Sequence, residues 1–226
     1  MCGRFAFTSP VEAMRQLFGV EDRPNLAPRY NIAPSQEVAI VRNPGGEGRR
    51  LAMVHWGLLP SWAKERKIAA RLINARAESV GEKPSFRAAF RARRCLVPAD
   101  GYYEWLAMKD GKQPYRLARR DDGLFAFAGL WERWMPPEGG AAVESCTIIT
   151  TAADAAVRPI HQRMPAILSP DDYASWLGES ASSPDQLLAL VQDASSPDLV
   201  ATPVSRRLNN PRHDDAACAE PVELEA

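Results

Sequence analysis

The stretch from Arg94 to Trp131 constrains this chain more than any other. It holds short β-prone runs in close succession: Arg94–Pro98, Tyr102–Met108, Pro114–Arg119 and Leu124–Trp131. Asp110-Gly111 and Asp122-Gly123 supply turns between them. Strands joined by such short turns pair antiparallel, because a parallel neighbour needs a crossover of about a dozen residues. Glu37–Arg42 and Arg49–Trp56 form a second pair around Asn43-Pro44-Gly45-Gly46, and Ser145–Thr150 and Met164–Leu168 complete the set. Leu199–Val204 is a last strand, which Pro203 restricts to a sheet edge. The helices are short. A capping box, Ser9-Pro10-Val11-Glu12, starts one that runs to Phe18 and stops at Gly19. Pro84-Ser85 opens another to about Arg93, and Asp171–Leu177 and Pro184–Gln192 follow late in the chain. Residues 24–36, rich in Pro and Asn, read as an irregular loop. The one plausible boundary, the Pro136–Ala142 loop, gives way at once to strand. The expectation is an α+β fold: one domain over residues 1–220, a mostly antiparallel barrel-like sheet with flanking short helices. Fraying is expected from about Ala216, with 221–226 as a tail.

The chain has 226 residues, 46% hydrophobic and 25% charged, which suits a water-soluble domain with a real core. Its apolar runs are far shorter than a membrane span, and no basic-then-apolar leader opens it. No membrane association is expected, and the expected location is the cytoplasm, in association with the nucleoid. The cysteines, Cys2, Cys95, Cys146 and Cys218, stand far apart, and only three histidines occur. That spacing argues against a zinc site and a disulfide framework, so neither metal nor cofactor is expected. Cys95 and Cys146, in apolar surroundings, read as core. Net charge is zero, but it is unevenly spread. Residues 1–120 carry 22 Lys and Arg against 11 Asp and Glu, and residues 121–226 carry 6 against 17. Such a split points to a polyanion-binding face, or to two halves that neutralise one another on folding.

Cys2 follows the initiator methionine directly. Met1 is readily trimmed before a small side chain, which would leave an α-amine and a thiol on adjacent carbons. With pKa values near ~8 and ~8.5, both are partly available as nucleophiles at neutral pH. A 1,2-aminothiol closes a five-membered thiazolidine with an aldehyde; the same terminus could run acyl chemistry. Further along, Asn74-Ala75-Arg76-Ala77-Glu78 gathers an amide, a guanidinium and a carboxylate, though by itself it reads more readily as a solvated loop. In Gly101-Tyr102-Tyr103-Glu104-Trp105, strand alternation points Tyr102 and Glu104 one way and Tyr103 and Trp105 the other. A carboxylate among aromatics is either a proton shuttle with a raised pKa or an exposed strand residue. His161, between Pro159 and Pro165, is either catalytic or structural. Trp62, followed by Lys64, Arg66 and Lys67, has the aromatic-and-base pattern of a single-strand binder, while Trp56 reads as core.

These segments together resemble the SOS-response-associated peptidase (SRAP) family along nearly the whole chain. The resemblance rests on Met1-Cys2-Gly3-Arg4, Asn74–Glu78, Arg94–Trp105, Phe127–Glu132, Ile160–Pro165 and the Val204-Ser205, Asn209 and Asp214-Asp215 pattern. Arg207-Leu208-Asn209 departs from it in being less apolar than the family leads one to expect. The resemblance implies a protein that recognises abasic sites in single-stranded DNA and crosslinks to them through Cys2. It implies that Asn74 holds the terminus and the sugar, that Glu104 moves protons, and that His161 assists sugar ring opening. It implies phosphate contacts for Arg4 and Arg76; Arg87, Trp62 and Trp105 are further candidates for the DNA face. Lyase activity and autoproteolysis are the side activities it suggests, and a monomer is expected. Two alternatives compete: an N-terminal-nucleophile cysteine peptidase or amidohydrolase acting on peptides, and a plain single-strand-binding module.

Overall fold

The computed structural model describes residues 2–195 and 198–224. In chain order it forms β1 (Phe5–Phe7), α1 (Val11–Phe18), β2 (Arg29–Ile32), β3 (Glu37–Arg42), β4 (Arg50–Trp56) and β5 (Asn74–Arg76). Then come α2 (Arg87–Ala92), β6 (Arg94–Ala99), β7 (Gly101–Met108), β8 (Gly111–Arg119), β9 (Phe125–Trp134) and β10 (Val143–Ala152). The last elements are β11 (Arg163–Pro165), β12 (Ile167–Leu168), α3 (Tyr173–Leu177), α4 (Pro184–Gln192) and β13 (Leu199–Pro203). The α+β class and the barrel-like sheet expected from sequence are both present. Strands β10, β4, β3, β6 and β9 pair in that order, and β9 pairs back onto β10, which closes a barrel. Most of these pairings are antiparallel; β10 runs parallel to β4 and to β5.

A second sheet, ordered β13-β8-β7-β1-β2, lies against the barrel. The join is aromatic. Phe5 of β1 meets Trp56 of β4 with ring centres 5.2 Å apart and Phe127 of β9 at 5.7 Å, both edge to face. Such pairs add a few tenths to about 1.5 kcal/mol beyond the area they bury. Gly129 sits where β6, β9 and β10 crowd together: a Cβ there would lie 2.9 Å from both Cys95 Sγ and Val97 Cγ2. Pro203 stands on an edge strand, where its missing N–H breaks no ladder.

Several local expectations change. Ser9 does not cap α1; no side-chain cap bond is made, and its hydroxyl donates to Asp100 Oδ2 at 3.2 Å. The left-handed Gly19 ends the helix as expected, with φ 64°. Residues 24–36 contain β2, which pairs antiparallel with β1, Phe5 opposite Ile32, while Asp214 accepts the N–H groups of Tyr30 and Asn31 at 2.6 and 2.8 Å. Nor does the chain fray from Ala216. Ala216–Cys218 forms a 3-10 turn, Pro221 bridges Val204, and the Val222 N–H donates to the Pro203 carbonyl at 3.0 Å. Residues 225 and 226 of the expected tail lie outside the described residues.

Candidate active site

Cys2 precedes β1, and the pairing of β1 with β7 fixes its surroundings. Phe5 stands opposite Tyr102, and the Tyr103 N–H donates to the Arg4 carbonyl at 2.9 Å. Residues 2–4 therefore run beside Tyr103–Trp105. Cys2 is fully buried, with a weak thiol hydrogen bond to the Arg4 carbonyl at 4.0 Å. Burial, and after it the Glu104 charge, push its thiol far above the ordinary value.

The alternation expected for β7 holds. Tyr102 packs into the main core, whereas Tyr103 and Trp105 join a separate small cluster with Ala6, Val204, Leu208 and Cys218. Glu104 therefore lies on the Tyr102 face, and it is only 3% exposed. It is not the half-wet strand carboxylate that the sequence also allowed. Burial raises its pKa from 4.5 to about 7.

The C-terminal end of β10 brings in the other two candidates. Asn74 starts β5, which pairs in parallel with β10, Asn74 opposite Ile148. Its Nδ2 donates to the Ile73 carbonyl at 3.0 Å, while its buried Oδ1 accepts no hydrogen bond among the described residues. On the other edge, β11 pairs with β10 from Arg163 opposite Ala152 to Pro165 opposite Thr150. His161 stands just before β11. His161 Nδ1 lies 2.9 Å from the Arg163 N–H and 3.0 Å from the Arg163 carbonyl, so it accepts from the first or donates to the second according to the ring tautomer. Burial lowers the His161 pKa, and the hydrogen bond to the Arg163 backbone works against that shift. Arg163 itself ties this edge down through Glu78 Oε2 at 3.0 Å and the Thr150 carbonyl at 2.5 Å.

Asp154 stands two residues beyond β10 and caps the next turn, accepting the Ala156 and Val157 N–H groups at 3.0 and 3.1 Å. The Tyr102 phenol, raised first by burial, also feels the charges of Cys2, Glu104 and Asp154. The β10 end and the Cys2–Glu104 pair thus lie within electrostatic reach of one tyrosine. Sequence reasoning passed over Tyr102 and Asp154 as site residues. For Tyr102 the signal was its place two residues before Glu104 on the same strand face.

The expected DNA-facing residues divide into two groups. Arg76 and Arg87 are exposed at the end of β5 and the start of α2. Trp62 is 54% exposed and borders a groove of about 520 Å³ with Lys64, Lys67, Ile68 and Arg71. Arg4 and Trp105 are already engaged. The Arg4 guanidinium lies 5.7 Å from the Trp105 ring centre, and its Nη1 donates to Asn31 Oδ1 at 2.5 Å and the Leu208 carbonyl at 2.9 Å. Trp105 Nε1 donates to Asn209 Oδ1 at 2.7 Å. This braced pair sits on the side of β7 opposite Glu104. Among the described residues, no group of His, Cys, Asp or Glu is arranged to hold a metal ion, and no helix is long and apolar enough to cross a membrane.

A buried thiol held protonated beside a carboxyl that titrates near neutrality suits proton transfer better than thiolate attack. Comparison with known proteins agrees with the motifs. The family model described as SOS response associated peptidase (SRAP) matches residues 1–211. Abasic site processing protein YoqW of Bacillus subtilis (strain 168) is 40% identical over 97% of this chain and 99% of its own length. Abasic site processing protein HMCES of Gallus gallus is 30% identical over 99% of this chain and 79% of its own. A crystal structure of a protein from Bacteroides thetaiotaomicron superposes with a TM-score of 0.85 at 26% identity, covering 98% of this chain and all of that one.

Proposed function

The chain belongs to the SOS response associated peptidase family, and from that premise we propose that it processes abasic sites by forming a covalent adduct between Cys2 and the lesion in single-stranded DNA. One observation carries the reading. Glu104, buried and titrating at about 7, lies on the strand that pairs beside Cys2, within reach of its charge.

The chemistry follows from these groups. Removal of Met1 frees the Cys2 α-amine, which attacks the aldehyde carbon of the ring-opened sugar. Protonated Glu104 gives its proton to the resulting hydroxyl, which leaves as water, so that a protonated imine forms beside the Glu104 carboxylate. The thiol adds to the imine carbon; the C–S bond forms, the C=N electron pair returns to nitrogen, and the thiol proton goes to the Glu104 carboxylate and restores its acid form. The product is a thiazolidine, with one water lost overall. The raised thiol pKa does not impede this order, because the amine acts first and the sulfur is called on only once an electrophile stands beside it. Asn74 Oδ1 accepts from the amine nitrogen and holds it on line. His161, in the tautomer in which Nδ1 accepts from the Arg163 N–H, donates from Nε2 to the sugar oxygen during ring opening. The imine also acidifies the adjacent C2′–H, so β-elimination is the natural side path. Arg76, Arg87 and Trp62 hold the strand on one side, and Arg4 stacked on Trp105 offers a fixed cation on the other.

The peptidase alternative needs an activated thiolate, and hydrolases of that kind lower the thiol pKa with a nearby cation. Here burial and a carboxylate raise it. The test is intact-protein mass measurement, and denaturing electrophoresis, after mixing with a single-stranded oligonucleotide bearing one abasic site. The expected species is the protein without Met1 plus the oligonucleotide less one water, lost in Cys2→Ala and in protein that retains Met1. Absence of any adduct with the native protein overturns the reading.

A further inference from the structure

Tyr102 and Tyr103 are neighbours on β7, both fully buried, and they make an internal comparison. Tyr103 faces the small cluster and donates its phenolic proton to the Tyr30 carbonyl at 2.8 Å. Tyr102 faces the Glu104 side, with its ring edge-on to Phe127 at 6.0 Å. Its hydroxyl makes no hydrogen bond among the described residues. Buried phenols ordinarily find a partner, because an unmade hydrogen bond leaves the group desolvated with nothing in return. The fold satisfies one phenol on this strand and leaves the other open, on the face that carries Glu104 and opposite Phe5 of β1, three residues after Cys2.

Resting on the adduct chemistry above, we infer that Tyr102 is a further catalytic residue, whose hydroxyl donates a hydrogen bond to the aldehyde-derived oxygen of the captured sugar while the Cys2 amine adds. It transfers no proton. The proton that turns that oxygen into a leaving water comes from Glu104, and the phenol lowers the charge that builds on the oxygen before it arrives. Burial, then the charges of Cys2, Glu104 and Asp154, push the phenol well above its usual range, so it stays a protonated donor across the working pH. An oxygen-bearing electrophile is therefore the ligand class this atom fits.

Tyr102→Phe keeps the ring and removes the one atom in question. With saturating abasic single-stranded DNA, the adduct should form about tenfold more slowly, the effect of one transition-state hydrogen bond. Affinity for the intact strand should be unchanged, and Tm should be equal to or above that of the native protein, because a polar atom with no partner has been deleted. Tyr103→Phe is the contrast: it should lower Tm and leave the adduct rate alone. A native rate in Tyr102→Phe, or a lowered Tm that reveals a structural bond for this hydroxyl, overturns the assignment and leaves the adduct reading standing. Failure of the native protein to form an adduct removes both.

Discussion

Glu104 carries its own pH signature. Its carboxyl ordinarily titrates at 4.5 and in the fold, through burial, at about 7. Between those values the unfolded chain releases a proton that the folded chain keeps. This contribution to stability is whole below pH 4.5, declines as pH rises, and is spent above pH 7. Glu104→Gln has no proton to lose. Relative to the native protein it should be more stable at pH 8 than at pH 4, by a few kcal/mol at most, since one pK unit is worth about 1.4 kcal/mol. Urea unfolding of both proteins across pH measures the difference, and parallel curves would exclude a raised Glu104. The same variant should form the adduct on the order of 100-fold more slowly and lose the rate limb centred near pH 7. Asn74 offers a second residue-scale outcome. Asn74→Asp keeps the acceptor but adds a charge beside a protonated amine; Asn74→Ala removes the acceptor. If Oδ1 holds the amine, adduct formation should fall about tenfold or more in the alanine variant with strand affinity kept. A loss confined to affinity would assign Asn74 to binding instead.

At the scale of elements, the sequence announced what local pattern can announce. β3 and α4 match the expected bounds, and β6 to β10 differ only at their ends, because alternation, turn dipeptides and a Ser-Pro entry are local signals. β1, β2 and β5 were invisible. Each is three or four residues long, and each is a strand only because a distant segment pairs with it. β2 pairs with β1 and is tied to the C-terminal segment by Asp214 and by the Asn31 side-chain amide, which donates to the carbonyls of Leu208, Asn210 and His213. The site shows the same division. Cys2, Asn74, Glu104 and His161 were legible as motif members. The open hydroxyl of Tyr102 was not, since a strand tyrosine reads as core, and the bracing of Arg4 depends on Asn31 and Leu208 far along the chain. The entry to α1 is the clearest substitution of a tertiary for a local device. Asp100, 2% exposed between β6 and β7, accepts the Ser9 N–H at 2.9 Å and the Thr8 hydroxyl at 2.9 Å, together with the Thr8 N–H and the Ser9 hydroxyl. Asp100→Ala should therefore lower stability by about 2–3 kcal/mol, because it strands several partly buried donors at once. Ser9→Ala, which removes one shared donor, should lower it by less than about 1 kcal/mol. Equal losses in denaturant unfolding would return the capping role to Ser9.

For the whole molecule, the uneven charge resolves into two populations of arginine. Arg29, Arg42, Arg49, Arg93, Arg116 and Arg119 of the basic half pair with Asp214, Glu144, Glu179, Glu132, Asp122 and Asp121 of the acidic half. The two halves do neutralise one another, and these guanidiniums are not available to phosphate. Among the described residues no ion pair engages Lys64, Arg66, Arg71, Arg76 or Arg87, and several of these border Trp62 or the Asn74 strand. A neutral chain thus keeps a local cationic face, and the two populations should respond differently to substitution. Each phosphate contact on a single strand contributes about 0.7 to the slope of log affinity against log salt. Replacing Arg76 and Arg87 together by Gln should lower that slope by about 1.4 and weaken intact and abasic strands alike. Arg49→Gln breaks the pair with Glu179 and should leave the slope unchanged, with a stability loss of at most about 1 kcal/mol. Fluorescence anisotropy of a labelled oligonucleotide across a salt series reads both. A slope that survives loss of Arg76 and Arg87 would move the strand to the other side of β7, onto the braced Arg4–Trp105 pair, and would make Glu104 accessible to the lesion only from behind the strand that carries it.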